Sequence, residues 1–172
     1  MVGFMLGVGG ARWGEMAGAD VADYDAAAGT YRVRQVWDTH ERTLKPYPKG
    51  MRRRTVPVPP WTASDLRALV GTRRRGLIFR SSPHTPVELS NWRSRILAPA
   101  LESLGLDDVT PHTLRRAYAS WLIQEGISLA EVGELMGHES PITTQRYAHL
   151  VDDVPEAVHH ALRDPRAPQH AS

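Results

Sequence analysis

Apolar positions alternate with polar ones over only a short early stretch of the chain. From Thr30 to Val36, Tyr31, Val33 and Gln35 fall on one side and Arg32, Arg34 and Val36 on the other, the spacing of a strand. Arg54-Thr55-Val56-Pro57-Val58 reads as a second strand, stopped by Pro59-Pro60. The turn-rich run Lys45-Pro46-Tyr47-Pro48-Lys49-Gly50 separates the two. Together they predict a small antiparallel hairpin or three-stranded sheet. Ahead of it, Gly3 to Ala17 is small and apolar and predicts two short helices, with Gly7, Gly9 and Gly10 as a flexible turn between them.

Beyond the sheet the period becomes helical, apart from a short apolar piece at Leu77-Ile78-Phe79. Thr62 or Ser64 can cap a helix through Leu66, Leu69 and Val70. Ser90 can cap the next, which carries Trp92, Ile96, Leu97, Leu101 and Leu104 to a stop at Gly105; Pro99 inside it predicts a kink or a split. Thr110-Pro111 is an N-cap followed by proline at the first helical position, and Leu114, Tyr118, Trp121 and Leu122 supply the stripe behind it. Ser128–Glu131 reads as a capping box, with Leu129, Val132, Leu135 and Met136 following and Gly137 as the stop. Ser140-Pro141 opens a last helix through Tyr147 and Leu150. The expected fold class is α+β: mainly helical, with a small antiparallel three-stranded sheet near the N-terminus. Residues 1–163 read as one domain and 164–172 as a frayed polar tail.

Composition narrows the function classes. The chain has 172 residues, 41% hydrophobic and 23% charged, which is globular rather than disordered. It has no cysteine, so disulfides, thiolate metal sites and cysteine nucleophiles are excluded. No apolar run approaches the ~20 residues that span a bilayer, and Met1–Val8 lacks the basic lead of a signal peptide, so a cytoplasmic protein is expected. The net charge is only +2, yet nineteen of the twenty-one basic residues are Arg; Lys45 and Lys49 are the exceptions. Arginine grips phosphate through a planar fork. The clusters Arg52–Arg54, Arg73–Arg75 and Arg115-Arg116 fit a nucleic-acid footprint, or equally the arginine bias of a GC-rich genome.

Three candidate constellations carry little. Gly7-Val8-Gly9-Gly10 lacks the third glycine of a dinucleotide loop and the Gly-Lys-Ser/Thr of a phosphate loop. His149, His159, His160 and His170 lack metal-ligand spacing, and adjacent His159 and His160 face different ways on a helix. Ala119–Gly137 has the outline of a helix–turn–helix, a pair that ordinary cores also use. The fourth is stronger. His112 and Arg115 sit at i and i+3 beside a helix start, where unpaired N–H groups and the helix dipole suit an anion. Gly137-His138 follows another helix, and Tyr147 comes nine residues later. Two His, an Arg and a Tyr at helix ends suit a phosphate attacked by a phenol.

His112-Thr113-Leu114-Arg115-Arg116, Leu135–Ser140 and Thr143–Leu150 resemble the two C-terminal signature boxes of the tyrosine recombinases, or phage integrase family, with twenty-three residues from Arg115 to His138. Gly10–Glu15 is similar to the family's first box, which holds its other arginine, and Lys49-Gly50 before Arg52–Pro57 to its lysine-bearing hairpin. The resemblance runs from about Gly3 to Leu150.

It implies a DNA breaking-rejoining catalytic domain of bacterial or phage origin that acts on double-stranded DNA with no cofactor and no metal. Arg12 and Arg115 would clamp the phosphate; Tyr147 would form a 3′-phosphotyrosyl link; His112 would take the phenol's proton; His138 would donate a hydrogen bond to the phosphate; Lys49 would protonate the departing 5′ oxygen. Arg12 can instead pair with Glu15. Arg52, Arg53, Arg54 and Arg116, with Arg73–Arg75 as a further candidate, would grip the DNA backbone. Segment 152–162 resembles a terminal helix that docks on a neighbouring subunit or on its own domain. Family members carry an N-terminal clamp domain; the chain starts eleven residues before Arg12, so the clamp is expected to be absent, as in a fragment, a short natural variant or a decayed gene. The alternative function is a non-catalytic DNA-binding module, and a relaxing, topoisomerase-like activity is a lesser variant.

Overall fold

Val2–Gly7 (α1) and Trp13–Ala17 (α2) form the two short opening helices. A computed structural model describes residues 1–46, 53–138 and 144. A 3-10 turn at Val21–Asp23 leads into β1 (Tyr24–Asp25), β2 (Thr30–Val33), β3 (Gln35–Asp38), β4 (Thr43–Pro46) and β5 (Arg54–Pro57). The antiparallel three-stranded sheet expected near the N-terminus is present, in the order β1-β2-β5, with Tyr31 opposite Val56 and Val33 opposite Arg54.

The alternation read over Thr30–Val36 is two strands rather than one. After Arg34 the chain leaves the sheet, and β3 pairs with β4 as a separate ribbon. It crosses α2 at Gly14 and at Gly18 just past its end, where an added Cβ would meet the Trp37 backbone at 2.8 and 2.7 Å. Only side-chain-free positions permit that approach.

α3 (Pro60–Val70) starts earlier than its Thr62 or Ser64 cap would place it. Pro60, with φ already set for a helix, occupies the first helical position. Thr62 is buried inside the helix and donates instead to the Gly3 carbonyl at 3.1 Å, tying α3 to α1. Arg73, a candidate DNA grip, closes the other end: it donates to the carbonyls of Leu69 at 2.9 Å and Leu77 at 2.7 Å. Capping the last turn fixes its guanidinium to the fold. The apolar piece Leu77–Phe79 is buried, and a short hairpin, β6 (Arg80–Ser82) and β7 (Thr85–Pro86), follows it.

The next rod runs through α4 (Leu89–Trp92), a π-helical turn (Arg93–Leu97) and α5 (Ala98–Leu104). It begins after Glu88, so Ser90 lies in its first turn instead of capping it. Pro99 neither splits nor ends the rod. The π turn ends just before α5, and Pro99 sits in the first turn of α5, where a missing N–H costs little. Trp92 anchors the rod in the core against Trp13, with ring centroids 5.2 Å apart.

α6 (Pro111–Gln124) and α7 (Leu129–Met136) follow their caps as read: Thr110 Oγ1 accepts the Thr113 N–H at 3.1 Å, and Ser128 and Glu131 form a capping box. The main core joins Phe4, Tyr31, Phe79, Trp92 and Leu114; a smaller one joins Tyr118 and Ala119 of α6 to Val132 and Met136 of α7. The helix–turn–helix outline is thus a packed pair whose apolar faces close on each other. Among the described residues no helix is long and apolar enough to cross a membrane.

Candidate active site

Four chain segments far apart in sequence meet where α2 begins and α7 ends. The first is the glycine turn, which is buried and tightly packed rather than flexible. Gly9 and Gly10 both have positive φ, and a Cβ on Gly10 would lie 2.9 Å from the Tyr118 ring. The turn aims the Gly10 carbonyl at Arg115, which donates to it through Nη1.

Arg115 lies on α6 and is 3% exposed. Its Nη2 donates to the Met136 carbonyl at 2.8 Å and contacts His138 Nε2 at 3.0 Å. A guanidinium cannot accept, so Nε2 is the acceptor and the imidazole carries its proton on Nδ1. Nδ1 in turn lies 2.8 Å from Thr144 Oγ1.

Gly137 explains how His138 comes to be there. Its left-handed φ of 67° ends α7, and the His138 N–H folds back onto the Gly133 carbonyl at 2.9 Å. A side chain at 137 would also collide with Arg54 Nη1, 2.7 Å from the added Cβ.

Arg12 precedes α2 and keeps 35% of its side chain exposed. The pairing with Glu15 anticipated as an alternative to phosphate clamping is real: Arg12 N donates to Glu15 Oε2 at 2.8 Å and its Nη1 to Oε1 at 3.2 Å. The pairing still leaves the guanidinium partly open to solvent.

Arg54 corrects a prediction. Expected as an exposed backbone grip, it is 8% exposed, because strand alternation points it inward with Val56. Its fork meets the Glu15 carboxylate at 3.1 and 2.8 Å, and its Nε donates to the Leu135 carbonyl at 2.7 Å. It braces β5, α2 and α7 together. Arg53 is exposed and Arg116 partly so, as surface contacts need.

His112 lies exposed in the first turn of α6, three residues before Arg115. Lys45, the competitor of Lys49, bonds Asp38 at 2.7 Å and Glu41 at 2.6 Å. Those carboxylates make it hold its proton more firmly, a poor quality in a general acid. Lys49, Arg52, Tyr147 and segment 152–162 lie outside the described residues. Sequence reasoning missed Glu15 as a brace and Thr144 as a histidine partner. Spacing signalled the first through the Arg12–Glu15 interval; nothing local signalled the second.

Three guanidiniums and one carboxylate therefore surround a histidine. Burial, then the charges of Arg115, Arg12 and Arg54, pull the His138 pKa down to about 4 from its ordinary 6.5. Unfolded chains then bind the extra proton more readily, so folding stability is full above about pH 6.5 and declines as pH falls through about 4. For a half-buried ring this amounts to about 1–2 kcal/mol. Urea midpoints measured from pH ~7 down to ~4 should fall less steeply for His138→Gln than for the parent chain. Among the described residues no group of three or more His, Asp or Glu is placed to hold a metal ion.

The chain as a whole is similar to known proteins. The phage integrase family matches residues 1–153. The tyrosine recombinase XerC of Mycobacterium bovis is 31% identical over 92% of this chain and 51% of its own length. Tyrosine recombinase XerD of Lacticaseibacillus casei is 34% identical over 65% of this chain and 41% of its own. The chain spans about half the length of the curated relatives it matches. Among solved structures, the Tn1549 transposon integrase in complex with a circular intermediate DNA superposes with a TM-score of 0.71 at 18% identity, covering 94% of this chain and 57% of that one. XerA recombinase gives 0.69 at 22% identity, covering 94% and 56%. At these identities the structures show a shared fold.

Proposed function

This chain belongs to the phage integrase family, and on that premise we propose that it cuts and rejoins DNA strands by transesterification through a 3′-phosphotyrosyl intermediate. The observation that carries the reading is the meeting of Arg12 and Arg54 on the single Glu15 carboxylate, with Arg115 against a histidine kept neutral beside them. That surplus of positive charge calls for an anion, and a phosphodiester supplies one. Arg12 and Arg115 would hold its non-bridging oxygens. The anion's charge would favour a proton on His138 Nε2, turning that atom from acceptor to donor toward a phosphate oxygen.

Tyr147 Oη attacks phosphorus, and the bond from phosphorus to the 5′ oxygen breaks. His112 takes the phenol's proton, and Lys49 gives one to the leaving 5′ oxygen. Rejoining is the same step reversed with a 5′ hydroxyl as nucleophile, so the bond energy is kept and no external energy source enters. Two other tyrosines suit this role badly. Tyr118, though near Arg115, has its phenol pushed up to about 12 by burial, and burial raises Tyr31 further. Residues 1–163 would form this catalytic domain with 164–172 as its tail. Arg52, Arg53 and Arg116 would grip the backbone, and segment 152–162 would join a second copy on DNA.

A duplex nicked beside the cleavage site traps the intermediate, because the short product strand diffuses away. Incubation with this chain should give a detergent-resistant protein–DNA adduct without added metal or nucleotide, and peptide mapping should place the link on Tyr147. A bound duplex with no adduct would instead support a non-catalytic DNA-binding module.

A further inference from the structure

Thr144 is 1% exposed, and its hydroxyl lies 2.8 Å from His138 Nδ1. It is seated over α7 at Gly133, where a Cβ would come within 2.6 Å of Thr144 Oγ1. Gly133 is itself buried in mid-helix, a place where glycine is unfavourable by about 1 kcal/mol relative to alanine. The notch gives that cost a reason: only a bare Cα leaves room for the threonine. On the far side of the imidazole, Nε2 accepts from Arg115. The ring is thus held from both ends, with Nδ1–H donating to Thr144 and Nε2 turned to the phosphate clamp.

We propose that Thr144 is the positioning residue for His138: its hydroxyl, lodged in the Gly133 notch, fixes the imidazole's orientation and the nitrogen that carries its proton. The inference rests on the strand-transfer reading above. A hydrogen bond to one imidazole nitrogen fixes which nitrogen of a histidine carries the proton.

Two readouts on the full chain test it. Ring-15N-labelled histidine, with the His138 signals assigned by their loss in His138→Gln, should show a protonated Nδ1 and an accepting Nε2 in the parent chain. Thr144→Val should change that pattern and slow adduct formation on the nicked duplex by about tenfold, the effect of losing one orienting hydrogen bond. Duplex affinity should not change. Thr144→Ser should restore both readouts to within about twofold, and Gly133→Ala should reproduce the valine variant's His138 spectrum despite its better helix propensity. His138 signals and adduct rate unchanged in Thr144→Val would overturn the proposal. Absence of adduct from the parent chain, with His138 still responding to Thr144→Val, would instead sink the strand-transfer reading and leave the contact standing.

Discussion

Arg115→Met is expected to reduce the rate of adduct formation by about a thousandfold and to destabilise the chain by about 2–5 kcal/mol. The first effect follows from the proposed mechanism, in which Arg115 supplies a preorganised fork to the phosphate; removal of a single such donor typically costs about 10²–10³ in rate. The second comes from the groups left behind. Methionine fills similar space but donates nothing, so the Gly10 and Met136 carbonyls lose their partner inside a buried site. Each buried acceptor so stranded costs about 1–3 kcal/mol. His138 Nε2 also loses its donor. Arg115→Lys should recover part of the stability and little of the rate, because an ammonium is one point charge and cannot span carbonyl, imidazole and phosphate together. Burst rates on the nicked duplex and urea midpoints measure the two effects separately. A methionine variant as stable as the parent would show that the carbonyls find other donors.

Glu15→Gln should be the more damaging change to the fold, at about 3–5 kcal/mol, the usual effect of breaking a buried ion pair from one side. The glutamine keeps the volume and can still accept the Arg12 N–H. What goes is the negative charge that Arg54 meets at 2.8 Å with its side chain almost wholly buried. Replacing both partners tests this directly: Glu15→Gln with Arg54→Met should be less destabilised than the sum of the single variants, by about 2–3 kcal/mol, because an apolar side chain needs no counter-charge. Additive losses in the denaturation cycle would mean that Arg54 and Glu15 act independently. Arg12 shares the same carboxylate, so under the proposed mechanism the single variant should also slow adduct formation by loosening Arg12.

Both predictions concern contacts between segments far apart in the chain, and Arg54 shows how they arise. Its position in Arg54-Thr55-Val56-Pro57-Val58 is on the same side as Val56 and Val58, so alternation alone placed it inward. The run of three arginines argued the other way, for a surface cluster. Burial decided it, because Glu15 from α2 waits beneath the strand. Pro99 went similarly: proline chemistry marked a disturbance, and the preceding π turn absorbed it within one continuous rod. Thr62 had the right chemistry for a cap, but the nearer acceptor was on another helix.

The sequence by itself determined what depends on neighbours a few residues away. Thr110-Pro111, the Ser128–Glu131 box and the Gly137 stop set the limits of α6 and α7, and the motif boxes pointed to the family. Tertiary structure alone decided which of those groups touch. Arg115 reaches Gly10 across 105 residues and Arg54 reaches Leu135 across 81. Contacts that distant depend on how whole elements pack, so helical or strand period carries no information about them. The proton on His138 belongs to the same class: the imidazole is neutral, and charged on neither nitrogen, because burial and three guanidiniums from separate segments make a further positive charge unfavourable there.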